Sequence, residues 1–165
     1  MESISFRSLQ ASDYPSVKEI YELGIATGNA TFQTEAPGWE AWDQDHLAKA
    51  RIVAIENNRV IGWAALTPVS GRCVYAGVAE VSVYIHTDAR KKGVGKKLLS
   101  ELVAQSEGEN LWTLQAGIFP ENKASLKIHE QCGFRQIGYR EKIGKMNGLW
   151  RDTVLLERRS KTVGA

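Results

Sequence analysis

Eight residues constrain this chain most: Arg90-Lys91-Lys92-Gly93-Val94-Gly95-Lys96-Lys97, set between a strand-like run and a helix-like one. Glycine lets backbone N–H groups close on an anion, and a following helix start presents unpaired donors to it. Five of the eight residues are cations, so a polyphosphate is the natural ligand. Upstream, Ala79 to Ile85 alternates as a strand requires. Glu80, Ser82 and Tyr84 face one way, and Ala79, Val81, Val83 and Ile85 the other. Downstream, Val94, Leu98, Leu99, Leu102 and Val103 recur at helical spacing. Gly108 and Asn110 then break the chain before a run from Leu111 to Ile118 that reads as a strand.

Two familiar phosphate loops fail against this segment. A Walker loop needs Gly where Arg90 stands and a hydroxyl where Lys97 stands. The dinucleotide fingerprint needs a third Gly at Leu98. Arg90, Gly93 and Gly95 instead fit Arg/Gln-x-x-Gly-x-Gly/Ala, which resembles the pyrophosphate loop of the GCN5-related N-acetyltransferases (GNAT). The resemblance implies an α/β (α+β) fold with a mixed, mostly antiparallel twisted sheet, flanked by helices and splayed at its central strands. It assigns Val83, Tyr84 and Ile85 to the pantetheine of acetyl-CoA. Arg90, Lys91, Lys92, Gly93, Val94, Gly95 and Lys96 take its pyrophosphate.

The rest of the chain is compatible with that architecture. Its 165 residues make one domain over 1–165, large enough for a real core. A net charge of +2 argues against a nucleic-acid partner, and the cations at 158–161 read as a solvated tail. No run reaches transmembrane length, and the N-terminus lacks a signal-peptide pattern. Cys73 and Cys132 have no second ligand at metal spacing, so reduced thiols in a cytoplasmic, metal-free protein are expected. Local patterns predict a strand over 3–8, a helix capped by Asp13, an irregular loop over 28–38 and a helix over 39–50. A hairpin over 51–67 turns at Asn57-Asn58; after the central unit come a helix over 122–131 and strands over 134–141 and 149–158.

Several segments resemble the phosphinothricin and methionine sulfoximine acetyltransferases within that superfamily. They are Ala30-Thr31-Phe32-Gln33-Thr34-Glu35, Tyr75-Ala76 with Glu80-x-Ser82-Val83-Tyr84-Ile85, Asn122-x-x-Ser125-x-x-x-His129-Glu130-x-x-Gly133-Phe134, and Gly148-x-Trp150-x-Asp152. The likeness spans nearly the whole chain and implies a homodimer. Acetyl transfer to an amine needs a group to accept the amine's proton, and Glu80, a charge inside an apolar strand, is the candidate base. Its plain alternative is a side chain turned to solvent. By resemblance His129 is counted with Glu80 as catalytic, as acid or as partner in deprotonation; otherwise it is a helix-surface histidine. Asn122 caps its helix and, by resemblance, touches the cofactor.

Phe32, Arg72, Tyr75 and Trp150 are the candidate walls of the acceptor site, with Arg72 a possible carboxylate partner and the aromatics excluding water. Trp39, Trp42, Trp63 and Trp112 suit a core or a dimer interface equally well. The expectation is an acetyl-CoA-dependent N-acetyltransferase acting on a small amino-acid-like amine such as phosphinothricin or methionine sulfoximine, by direct attack. The alternatives are an acetyltransferase for a peptide, protein or other metabolite, and a non-catalytic acetyl-CoA-binding sensor. Neither cysteine has a motif that would make it a nucleophile.

Overall fold

The computed structural model describes residues 3–165. Seven strands form one sheet in the order β1-β2-β3-β4-β5-β7-β6. They are β1 (Ser5–Ser8), β2 (Ile52–Glu56), β3 (Arg59–Pro68), β4 (Val78–Ile85), β5 (Thr113–Ile118), β6 (Arg135–Met146) and β7 (Leu149–Arg159). The helices are α1 (Tyr14–Ala26), α2 (Trp39–Asp45), α3 (Val94–Gly108) and α4 (Lys123–Gln131). Every neighbouring pair of strands is antiparallel except β4 with β5.

Strand alternation divides the core into two layers. On one face Ile52, Ala54, Ala64, Leu66 and Ala79 pack against Leu98, Leu99 and Leu102 of α3. On the other, Val53, Trp63 and Ala65 meet Val17 and Ile20 of α1 and Trp42 of α2. Burying each large apolar side chain contributes about 1.5–3 kcal/mol, so these layers hold both helix groups on the sheet. Trp42 and Trp63 are therefore core residues, and Trp42 stacks on the ring of His46.

Four local expectations need correction. α2 ends at Asp45, short of position 50, because His46 is extended and Leu47 N–H donates to Leu66 O of β3. The sheet edge captures the chain before the helix can continue. Asp13 stands before α1, yet its carboxylate accepts from Gln10 N–H and from the Arg7 guanidinium and makes no cap on that helix. The first strand begins at Ser5, two residues later than its apolar pattern suggested. β6 runs on to Met146, with its register against β7 shifting between Arg140 and Gly144.

Candidate active site

β4 and β5 share only three paired positions: Val78 with Thr113, Ala79 with Leu114, and Glu80 with Gln115. Beyond Glu80 each strand follows its other neighbour. β4 stays in register with β3 as far as Ile85 opposite Gly62, and β5 with β7 as far as Ile118 opposite Val154. The sheet splits there, and the β4 edge from Val81 onward has no β5 partner. A cavity of about 480 Å³ opens in the split, walled by Val81 to Tyr84, Gly117 to Phe119, Phe32, Asn122 and His129. Unpaired strand edges in a cleft supply backbone donors and acceptors for an extended amide-bearing ligand.

At the end of β4, a short 3-10 turn over Thr87–Ala89 leads into the basic loop. Gly93 occupies the position before α3 with φ +76°, in the left-handed region that glycine enters without strain. The first backbone bond into the helix runs from Lys97 N–H to Gly93 O. Donors ahead of it, on Val94, Gly95 and Lys96, have no partner inside the helix. Val94 and Gly95 are buried and anchor the turn, whereas Arg90, Lys91, Lys92, Lys96 and Lys97 are exposed. Lys92 makes one ion pair, 3.8 Å from the partly buried Glu56 carboxylate. Free donors, a helix start and exposed cations around a left-handed glycine fit the pyrophosphate of acetyl-CoA. Among the described residues, no group of three or more His, Cys, Asp or Glu side chains could hold a metal ion.

Glu80 sits at the fork itself. It is half-buried, and its Oε1 accepts a hydrogen bond from Gln115 Nε2 at 3.3 Å. It also lines a second cavity, of about 390 Å³, on the α1/α2 face of the sheet. Thr31, Gln33, Glu80, Ser82 and Tyr84 line both spaces, so the two meet along one side of β4. Tyr84 stacks between Trp63 and Tyr21 at 4.9 Å from each, and burial holds its hydroxyl well above the usual phenol range. Tyr84 therefore stays protonated and fixes the wall between the cavities.

His129 is buried, 5% exposed, rather than lying on a helix surface. Its Nδ1 lies 2.8 Å from Ser125 O, which can only accept, so Nδ1 carries the proton and Nε2 offers a lone pair. Burial lowers its pKa, and the bond to Ser125 O opposes that shift. The ring is neutral at neutral pH. Asn122 caps α4 by accepting from Ser125 N–H at 3.2 Å, and its Nδ2 donates to Asn29 O at the same distance.

Arg151 on β7 holds the same loop from the other side. It is buried, donates to Gly28 O at 2.8 Å and Asn29 Oδ1 at 2.9 Å, and lies over the Phe119 ring at 4.0 Å. Phe32 follows this clamp, packs edge-on against Phe119 and presses on Gly144, where a Cβ would come within 2.8 Å of its ring. The loop over 28–38 is thus fixed at the cavity mouth by Asn122 and Arg151.

The structure separates the other proposed acceptor residues from these cavities. Arg72 and Tyr75 form an exposed pair, the guanidinium 5.8 Å from the ring centre, and line neither space. Trp150 is 54% exposed on β7, with Lys145 over its ring. Tyr139 and Leu149 of the same hairpin are exposed as well, and Ile143, also exposed, lines the first cavity. Arg151, Gln115 and His46 reach the site without any motif that marks them. Arg151's one signal is its place between Trp150 and Asp152.

Residues 6–134 match the Acetyltransferase (GNAT) family. The chain is similar to the phosphinothricin N-acetyltransferase of Alcaligenes faecalis, 35% identical over 159 residues, spanning 92% of this chain and 80% of the relative. It is also similar to the L-methionine sulfoximine/L-methionine sulfone acetyltransferase of Pseudomonas aeruginosa, 28% identical over 166 residues and 94% of each chain. A GNAT phosphinothricin acetyltransferase from Sinorhizobium meliloti, solved in complex with acetyl-CoA, superposes with a TM-score of 0.85. It is 27% identical, and the match covers 98% of this chain and 95% of that one.

Proposed function

The chain belongs to the acetyltransferase (GNAT) family and is an acetyl-CoA-dependent N-acetyltransferase; from that premise we propose that its acceptor is a small amino-acid-like amine such as phosphinothricin or methionine sulfoximine, with Glu80 as general base. One observation carries the assignment of Glu80. Its carboxylate lines both the strand split and the cavity on the α1/α2 face, so it borders the space of donor and acceptor alike.

Bound acetyl-CoA supplies an acetyl group activated as a thioester. The basic loop holds the pyrophosphate through the α3 donors and the cations from Arg90 to Lys96, and Val83 to Ile85 with Asn122 hold the pantetheine arm. Gln115 orients Glu80 through its Nε2–H, leaving the second carboxylate oxygen to take the amine's proton. General base catalysis of this kind is worth about 10²–10⁴-fold. His129 keeps one proton on Nδ1 and offers Nε2 to take up and return another. Phe32, at the cavity mouth, excludes water from the reacting amine.

The cavity of about 390 Å³ beside Glu80 has room for a small amine acceptor. The homodimer contact is placed on the β6–β7 hairpin, which exposes Tyr139, Leu149 and Trp150; Trp150 then serves that contact, and Arg72 and Tyr75 stay outside both spaces. Exposed large apolar side chains of this kind suit a contact between subunits. Two free cysteines agree with a cytoplasmic setting. Free-thiol release from acetyl-CoA across phosphinothricin, methionine sulfoximine, ordinary amino acids, polyamines and short peptides tests the acceptor class. Selective turnover of the first two is expected; turnover of peptides alone would overturn it.

A further inference from the structure

The second cavity contains a titratable group that the mechanism above leaves unused. His46, the residue that ends α2, lines it together with Glu80, Glu35, Asp45, Trp42 and Tyr84. Its position follows from the sheet. Leu47 N–H donates to Leu66 O at 2.8 Å, and Leu66 and Thr67 stand opposite Val81 and Glu80 in the β3–β4 register. His46 is thereby held beside β3, the strand next to Glu80's own, and lines the same cavity.

The ring is prepared for proton transfer. Nδ1 lies 2.6 Å from Trp42 O, an acceptor only, so the proton sits on Nδ1 and Nε2 carries a free lone pair. The imidazole stacks on Trp42 at 4.0 Å, which fixes its plane. Burial and the nearby Arg51 guanidinium lower its pKa, while the bond to Trp42 O and the Asp45 carboxylate act the other way. The remaining ionisable groups around the cavity are Glu35, Tyr21, Tyr84 and Glu80.

An amino-acid amine is largely protonated at neutral pH and cannot attack until it loses a proton. Glu35, Asp45 and Glu80 make the cavity attractive to that ammonium form. We propose that His46 is a further catalytic proton acceptor, beside Glu80 and His129, whose Nε2 deprotonates the acceptor's ammonium before Glu80 takes the proton shed on attack. In that step an ammonium N–H bond breaks and its electron pair stays on nitrogen. A new Nε2–H bond forms, and the imidazolium returns its proton to solvent. The proposal rests on the amine-acetyltransferase reading above.

The test compares wild type with His46→Asn, which keeps an amide donor near the Trp42 carbonyl. Two acceptors are used: methionine sulfoximine, an ammonium at pH 7, and aminoacetonitrile, whose amine is already neutral there. For methionine sulfoximine the variant's kcat/KM is expected to fall at least tenfold at pH 7. It should then climb about tenfold per pH unit toward the amine's own pKa, where wild type stays flat. With aminoacetonitrile the variant should stay within twofold of wild type. Equal losses with both acceptors would mark a merely structural residue, and an unchanged pH profile would remove His46 as a base; either overturns the proposal. Wild type that acetylates neither amine would overturn the underlying reading and this proposal with it.

Discussion

Gln115 donates to Glu80 across the last rung that joins β4 to β5, so the candidate base is oriented by the strand that then leaves it. The same rung ends the parallel pairing and opens the cavity. Replacing Glu80 by Gln retains shape and an acceptor for Gln115 but removes the basic oxygen. We expect Glu80→Gln to lower kcat at least tenfold, with acetyl-CoA affinity within twofold. Stopped-flow and equilibrium binding decide it; an unchanged kcat removes Glu80 as base.

Gly93 combines a left-handed backbone with the open face of the α3 start. Gly93→Asp adds backbone strain and sets a carboxylate where the pyrophosphate would sit. Calorimetric titration should give an acetyl-CoA Kd raised by at least tenfold. Normal affinity in a folded variant would refute the loop assignment.

Arg151 ties β7 to the loop that carries Phe32. Arg151→Met removes its bonds to Gly28, Asn29 and Glu121 and leaves their oxygens under-partnered. The expected cost is about 2 kcal/mol in stability. The KM for the acceptor should rise more than that for acetyl-CoA, because the clamp holds the acceptor-side loop. A variant with wild-type Tm and equal changes in both KM values would contradict the clamp.

His129 makes stability depend on pH. Its folded pKa lies below the ordinary histidine value near ~6.5, so the unfolded chain binds more protons in the window between the two. Its contribution is complete above about pH 6.5 and is lost as pH falls toward the folded pKa. His46 adds in the same direction. Urea midpoints should drop from pH 7.5 to pH 5, and the drop should be smaller in His129→Leu. An identical pH slope in the variant would exclude a buried neutral His129.

Some of this was legible residue by residue. The alternation from Ala79 to Ile85, the helical repeat of Val94, Leu98 and Leu102, and the glycines among five cations are local patterns, set by the geometry of one strand, one helix and one turn. They determined the strand, helix and intervening basic glycine turn of the central unit because each needs only neighbours in the chain. Misjudged boundaries were those set by long-range bonds, such as Leu47 on Leu66, which ends α2 early, and Arg7 on Asp13, which takes the carboxylate from the helix. The split beyond Glu80 arises because β4 keeps β3 and β5 keeps β7. Arg151 meets Gly28 across 123 positions, and His46 reaches its cavity by way of β3. The sequence by itself determined which elements form, and placed a basic glycine turn between the central strand and helix. Only the tertiary structure decided which side chains share a cavity, because that depends on strand order and register, which no local pattern encodes.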